Sequence, residues 1–389
     1  MSDRLLTPRF LVMCSFTFTV FLSLFQLLPT APYQVIALGG STAAAGLFLG
    51  LLTYASALSA PFTGTIGDRI GQRRVLLIVS LTLAAFTSIY AFITDYRVML
   101  AIVVVHGAVW SALLTASGAY MASTLPPTRR AEGLGYWGLA SVFSIAVAPP
   151  FGFWIYRFGW QALCIEIAAL NLAMAAIAWR LPDDRHDHAE ERAAQPAGEK
   201  RSIVELRVVL LAISLGLVSF AYGALTSFSA MFADDLGVTP RSLFLTMMAC
   251  AIVVVRLSIG KRLDTIGHRT ALLPSLVVAS SGVMSLALTQ GTITFAISAV
   301  VFGAGFGLMF PAFAAYLLNH VPALRRGAAY GAMIAAFDTG IGTGSTSMGW
   351  LIHRFGFRAA FAIAGLIALL SLPYFIVAER RLGYKVSRP

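Results

Sequence analysis

Long apolar runs, broken by short polar or charged intervals, set the pattern of this chain. Apolar stretches fall at about 10–34, 43–65, 75–93, 97–123, 133–153 and 160–179. They resume at about 208–231, 243–260, 270–289, 292–318, 327–351 and 358–377, with the shortest breaks at 93–97 and 289–292. A helix needs about 20 apolar residues to cross the hydrocarbon core of a bilayer. The pattern therefore predicts an all-α polytopic membrane protein with twelve transmembrane helices.

The interval between the sixth and seventh runs differs from the others. It contains DDRHDHAEERAAQPAGEKR, rich in charge and poor in large apolar residues. Such a segment cannot bury enough apolar surface to hold a fold of its own. It reads as a solvated linker over 181–207, joining an N-terminal six-helix bundle (1–180) to a C-terminal one (208–389). His186 and His188 lie within it but do not make a metal motif, and no metal site or cofactor is expected anywhere in the chain.

Composition sharpens this picture. Of 389 residues, 58% are hydrophobic and only 12% charged, about half the charged share of an ordinary soluble domain. A soluble enzyme is excluded, and twelve spans leave no room for a separate soluble domain. The net charge of +11 comes from short clusters between apolar runs, not from the solvated basic stripe that nucleic-acid binding requires. Cys14, Cys164 and Cys250 lie far apart in apolar runs and are expected to be buried thiols. The first run continues past Val20 without a small-residue cleavage site, so it is expected to be a retained helix.

Charge placement supports the helix count. With the N-terminus in the cytoplasm, all but Arg97, Arg157, Arg241, Arg354 and Arg358 of the 28 basic residues fall on the cytoplasmic side. This is the asymmetry that the positive-inside rule describes. It predicts twelve helices with both termini cytoplasmic.

The two halves also repeat. GDRIGQRR at 67–74 aligns with LDTIGHRT at 263–270, so that Asp68, Gly71 and Arg73 meet Asp264, Gly267 and Arg269 at a constant spacing of 196. Arg129, Arg130 and Gly135 meet Arg325, Arg326 and Gly331 at the same spacing, and YRFGW at 156–160 meets HRFGF at 353–357. Parallel duplicated six-helix halves are a recognised transporter architecture.

At this point the chain resembles the major facilitator superfamily over its whole length. GTIGDRIGQRR resembles the family's loop between helices 2 and 3, with Gly64, Asp68, Arg69, Gly71, Arg73 and Arg74 in place and Gln72 where a basic residue is more usual. Gly64 and Gly71 would permit close helix approach and a tight turn. Asp68 would cap a helix or pair across to the other half, with the arginines anchoring to it and to lipid phosphates. The resemblance implies a latch that stabilises the outward-facing state. SIAVAPPFGFW on helix 5 is similar to the motif of the family's exporter branch, with Pro149, Pro150 and Gly152 present and Ala148 and Phe153 in place of glycines. It implies a kink that favours export. LLPTAPYQ (27–34) and PPTRRAEGLGYWG (126–138) resemble the same branch. Helix 4 departs from the family. The arginine often found three residues before its His-Gly or Gln-Gly pair is Val103 here.

Charged groups at membrane depth are costly and so are functional candidates. Asp338 lies mid-helix in AAFDTGIGTGSTS and is the leading proton-coupling candidate, joined by His106 on helix 4 and Glu166 on helix 6. Arg256, five residues before Lys261, reads as a snorkelling side chain or a gate partner. The family's central cavity is lined by helices 1, 4, 7 and 10. On these the resemblance implies Gln26, Tyr33, Trp110, Thr115, Tyr222, Thr226, Phe306 and Phe310 as an aromatic pocket with polar anchors, suited to an amphipathic organic molecule.

The expected function is proton-coupled efflux of small organic compounds by a monomer that alternates access across the bilayer. An importer or uniporter of the same fold, or a transport-dead membrane scaffold or sensor, are the alternatives. No P-loop or hydrolase motif stands where a site would form, so neither ATP drive nor enzymatic chemistry is expected.

Overall fold

The computed structural model describes residues 7–126, 129–182, 206–259, 266–321 and 326–382. The described residues are helical nearly throughout. The first half comprises α1 (Pro8–Ala37), α2 (Thr42–Ile70), α3 (Gln72–Tyr90), α4 (Tyr96–Thr124), α5 (Arg130–Tyr156) and α6 (Trp160–Arg180). The second comprises α7 (Leu206–Asp235), α8 (Leu243–Ile259), α9 (His268–Ser285), α10 (Thr292–Asn319), α11 (Arg326–Leu369) and α12 (Ser371–Arg381). The linker between the halves, including His186 and His188, lies outside the described residues, as does Asp264.

These segments are helical because hydrocarbon offers no partner for backbone N–H and C=O groups, and a helix satisfies them internally. Local capping fixes several starts. Thr7 Oγ1 accepts from the Phe10 N–H at 3.2 Å, Ser41 Oγ from the Ala44 N–H at 3.2 Å, and Asp95 Oδ1 from the Arg97 N–H at 2.8 Å. Large apolar side chains face outward along the spans, among them Leu58, Phe62, Phe92, Leu288 and Ile293. Water would oppose so much exposed apolar surface, whereas lipid accepts it.

The sequence expects a break between helices 11 and 12 near 351–358. The structure breaks there: the stretch Arg326–Leu369 leaves helical geometry at Gly356 (φ 77, ψ 169), which separates two helical arms. The apolar stretch 329–381 is 53 residues long. At about 1.5 Å per residue that is roughly 80 Å, more than twice a bilayer core of about 30 Å. It therefore crosses twice, turning at Gly356, and α12 continues the second arm after Leu370. With α1–α10 this makes twelve crossings in two six-helix bundles. One face of the molecule, here the terminus face, carries the α2–α3 turn and the ends of α6 and α12. The far face carries the α1–α2 turn and Gly356.

The repeat read from the sequence is also a repeat of backbone geometry. Gly71 (φ 92, ψ 139) and Gly267 (φ 89, ψ 131) start α3 and α9 in matching left-handed-side conformations that L side chains disfavour. Gly159 (φ 108, ψ 162) and Gly356 (φ 77, ψ 169) match in the same way at the far face. The arginines follow suit. Arg73 donates to the Ala178 and Trp179 carbonyls at the end of α6, and Arg269 donates from Nε to Glu379 Oε1 at 2.8 Å on α12. Tyr120 donates to the Pro182 carbonyl at 3.2 Å, and its repeat mate Tyr316 donates to Glu379 Oε1 at 2.6 Å. Each half thus ties two of its helices, α3 and α4 in the first and α9 and α10 in the second, to its last helix or the residues just after it, through an arginine and a tyrosine at matching positions.

One expectation fails here. Cys164 is buried and Cys14 half-buried, but Cys250 is exposed on the outer surface of α8. An apolar run does not say which side of its helix faces lipid, and this cysteine faces outward.

Candidate functional site

The halves meet along two seams. In the first, α2 packs along the first arm of α11. From the far face inward, Gly349 lies against Ala43, and a Cβ at Gly46 would collide with the Ser345 carbonyl. Ser345 Oγ donates to the Gly46 carbonyl at 2.8 Å and Tyr54 Oη to Thr343 Oγ1 at 2.8 Å. The last rung is Ser56 Oγ donating to Asp338 Oδ2 at 3.1 Å. Small residues allow this close backbone approach, which closes the far-face half of the seam.

The second seam joins α1 and α5 to α7 and α8. Pro149 lines a narrow gap there together with Phe25, Pro29, Tyr222, Thr226 and Met248. At its far-face end, Tyr33 Oη donates to Asp234 Oδ2 at 2.9 Å, and Arg241 Nε donates to Asp234 Oδ1 at 2.7 Å. The Arg241 guanidinium lies 5.1 Å from the Tyr33 ring centroid, within cation–π range. Partial burial acts against the Arg241 charge, but the bond to Asp234 and the neighbouring Tyr33 outweigh it and hold the guanidinium above its ordinary value.

Between the seams lies a cavity of about 510 Å³, in the range of small-molecule sites. It runs from the membrane middle toward the terminus face, where Leu134 near the start of α5 and Tyr330 near the start of α11 line it. One wall is aromatic. Tyr222 and Phe306 stack at 4.5 Å between centroids with 7° between planes, and Phe337 meets both Phe306 (6.2 Å) and Phe310 (5.2 Å). The opposite wall carries Phe21, Trp110 and Trp137. Asp338 and Arg256 are the charged side chains among its described lining residues.

A profile described as Major Facilitator Superfamily matches residues 11–323 and again 259–388. The chain belongs to the major facilitator superfamily. As a member it is a multi-pass membrane transporter of small substrates. It is 24% identical over 347 residues to the staphylopine export protein of Staphylococcus aureus (strain Mu50), covering 86% of each chain. It is also 24% identical over 378 residues to the uncharacterized MFS-type transporter YhhS of Escherichia coli (strain K12), covering 94% of this chain and 92% of that one. In fold it is similar to the nucleoside transporter NupG (TM-score 0.71, 16% identity, 98% of this chain and 100% of that one). It is likewise similar to the human organic anion transporter MFSD10 (TM-score 0.69, 16% identity, 95% and 100%).

In this facilitator the candidate residues separate into five places. Trp110, Tyr222, Thr226, Phe306, Phe310 and Asp338 line the cavity. Tyr33 is in the far-face cluster instead. Gln26 is buried within the first half, its amide donating to Glu166 Oε1 at 3.4 Å, while Gln26 Oε1 and Glu166 Oε2 have no hydrogen-bond partner. Thr115 hydrogen-bonds the Ser111 carbonyl at 2.8 Å and reaches Thr63 on α2. His106 is also enclosed in the first half, with Nδ1 3.3 Å from Tyr90 Oη and its ring stacked on Tyr90. It borders a void of about 10 Å³ shared with Thr87 and Asn171, about the size that holds one water.

The motif residues are placed as follows. Gly64 and the Asp68 side chain lie outside the described residues. Arg69 and Arg74 are exposed at the terminus face, and Arg73 binds the end of α6 within its own half. Pro149 and Pro150 lie within α5, which runs on through them to Tyr156. Gly152 admits Gln26, whose Cβ would be 2.9 Å from an added Cβ.

Sequence reasoning missed Arg256 as a cavity residue, and missed Trp137, Tyr330 and Phe337. Phe337 adjoins Asp338 in the chain, a signal that could have found it. Arg256 looked like a residue near a helix end, where a snorkelling role is the usual reading.

Proposed function

We propose that this transporter is a proton-coupled exporter of small organic compounds in a bacterial inner membrane, with both termini cytoplasmic and its cavity facing the cytoplasm. The observation that carries the reading is the position of Asp338. Its carboxylate lines the cavity and accepts from Ser56 of the other half, at the last rung of the closed seam. Proton gain or loss at that carboxylate would change a contact between the halves, which is what coupling requires. The basic residues clustered at the terminus face support the orientation. Similarity to an export protein and the proline pair at the α5 seam support the direction.

Everted membrane vesicles carrying a preformed pH gradient test this. A panel of amphipathic compounds is added, and dissipation of the gradient is read with an acridine dye. At least one compound should discharge the gradient in wild-type vesicles and fail to do so with Asp338→Asn. Equal discharge by the variant, or protein-dependent uptake into intact cells in place of export, overturns the reading. Val103, standing where proton-coupled relatives often carry arginine, favours an importer or uniporter as the second reading.

A further inference from the structure

We propose that the cavity selects an amphipathic organic monocarboxylate, with Arg256 as the carboxylate anchor and the Tyr222, Phe306 and Phe337 wall holding the apolar body. This rests on the reading of the cavity as the cargo site, and on neither the transport direction nor the coupling ion.

The geometry of Arg256 carries the inference. Its Nε donates to the Gly307 carbonyl at 3.0 Å, and Gly307 stands at the middle of α10. Side chains on a helix lean toward its N-terminus. On α8 that direction is the far face, so the guanidinium leans into the membrane and not out to the terminus-face headgroups. A snorkelling arginine would do the reverse. The Gly307 contact fixes one edge of the guanidinium. Among the described residues no carboxylate pairs with Arg256. A charged fork held at membrane depth without a counter-ion is expensive to maintain, and a cavity wall is the place where cargo can supply the missing charge.

The charge class and shape of the cargo follow. A guanidinium presents parallel N–H donors that match a planar carboxylate. Among its described lining residues the cavity has one arginine and one acid, Asp338. A single negative charge on the cargo balances Arg256, whereas a dianion would leave an excess beside Asp338. A cation would face Arg256 directly. The stacked ring pair at 4.5 Å, with Phe337 beside it, offers flat apolar surface for a ring or an alkyl chain.

The test uses full-length protein in lipid nanodiscs and three probes of one shape: 2-naphthoate, 2-naphthylmethanol and 2-naphthylmethylammonium. Binding is read by quenching of tryptophan fluorescence, since Trp110 and Trp137 line the site, and folding is checked by thermal unfolding. Naphthoate should bind at least about tenfold more tightly than the alcohol, as expected for a hydrogen-bonded charge. Arg256→Gln should weaken naphthoate about tenfold or more and leave the alcohol within about twofold. Arg256→Lys, which keeps the charge without the fork, should fall between and serves if the glutamine variant does not fold. Equal naphthoate binding by wild type and the folded Arg256 variants overturns the inference, as does tighter binding of the ammonium or no saturable naphthoate binding. Phe306→Ala reports separately on the cavity. If it weakens both naphthoate and the alcohol, the probes occupy this cavity. If it alters neither, the cavity is not the site and the inference falls with that reading.

Discussion

Tyr33 of the first half donates its phenolic hydrogen to Asp234 of the second at 2.9 Å, on the far face, where Arg241 also binds the same carboxylate. These groups meet only because the halves are closed on that side. Tyr33→Phe removes one hydrogen bond to a charged acceptor, and Asp234→Asn weakens both contacts. The cluster is partly exposed, with Asp234 at 34% and Arg241 at 46%, so the loss should be about 1 kcal/mol and not the larger value of a buried pair. That corresponds to a several-fold shift toward the arrangement open on the far face. Labelling of single cysteines placed beneath the cluster should quicken accordingly. Unchanged labelling would show that the cluster does not hold this face shut.

Ser56 and Asp338 should separate by mutation. Ser56→Ala keeps the carboxylate and removes its partner across the seam. Gradient-driven transport should persist at a reduced rate, whereas Asp338→Asn should abolish it while sparing exchange of substrate down its own gradient. Equal behaviour of the two variants in vesicle flux assays would argue that the contact, and not the acid, is what matters.

Glycines at equally tight contacts should give different phenotypes according to which halves they join. Gly46 touches Ser345 across the seam, while Gly223 on α7 touches Ile341 on α11 within the second half. Gly46→Val should favour the arrangement open on the far face in a protein that still folds. Gly223→Val has no alternative arrangement to relieve its clash and should destabilise the bundle by several kcal/mol, as overpacking can. Thermal unfolding and far-face labelling together distinguish the two.

The paired turns make an additive prediction. Gly71 and Gly267 each hold φ near 90°, and alanine at either should cost about 1–2 kcal/mol. The sites are in separate halves and share no partner, so the double variant should lose about the sum. A clearly smaller loss in thermal unfolding would show that the turns are coupled.

Glu379, 1% exposed and bonded to both Arg269 and Tyr316, should be important to the second half. Glu379→Ala strands a partly buried guanidinium and a buried hydroxyl, and should cost about 2–3 kcal/mol. Glu379→Gln, which retains an acceptor, should cost less. The difference is read as two midpoints of thermal unfolding in one detergent.

Much of the architecture was legible from the chain alone. Hydrocarbon permits few backbone solutions, so run length fixes the helices, and the spacing of Gly71, Arg73 and Gly267, Arg269 marks the repeat that the backbone angles display. Asp338 stood out as a candidate because a charge at membrane depth is costly, but its contact with Ser56 of the other half was not visible. Nor was the rotation of each helix. His106 and Trp110 are one turn apart on α4, yet His106 is enclosed beside Tyr90 while Trp110 reaches the cavity. Arg256 reads as a helix-end residue until Gly307 of α10 is seen to hold it. Tyr33, Asp234 and Arg241 come from different halves and carry no shared sequence signal. Hydropathy measures transfer from water to lipid, to which every face of these helices contributes alike. Which face meets lipid, a neighbouring helix or the cavity is decided by packing between helices, and only the tertiary structure contains it.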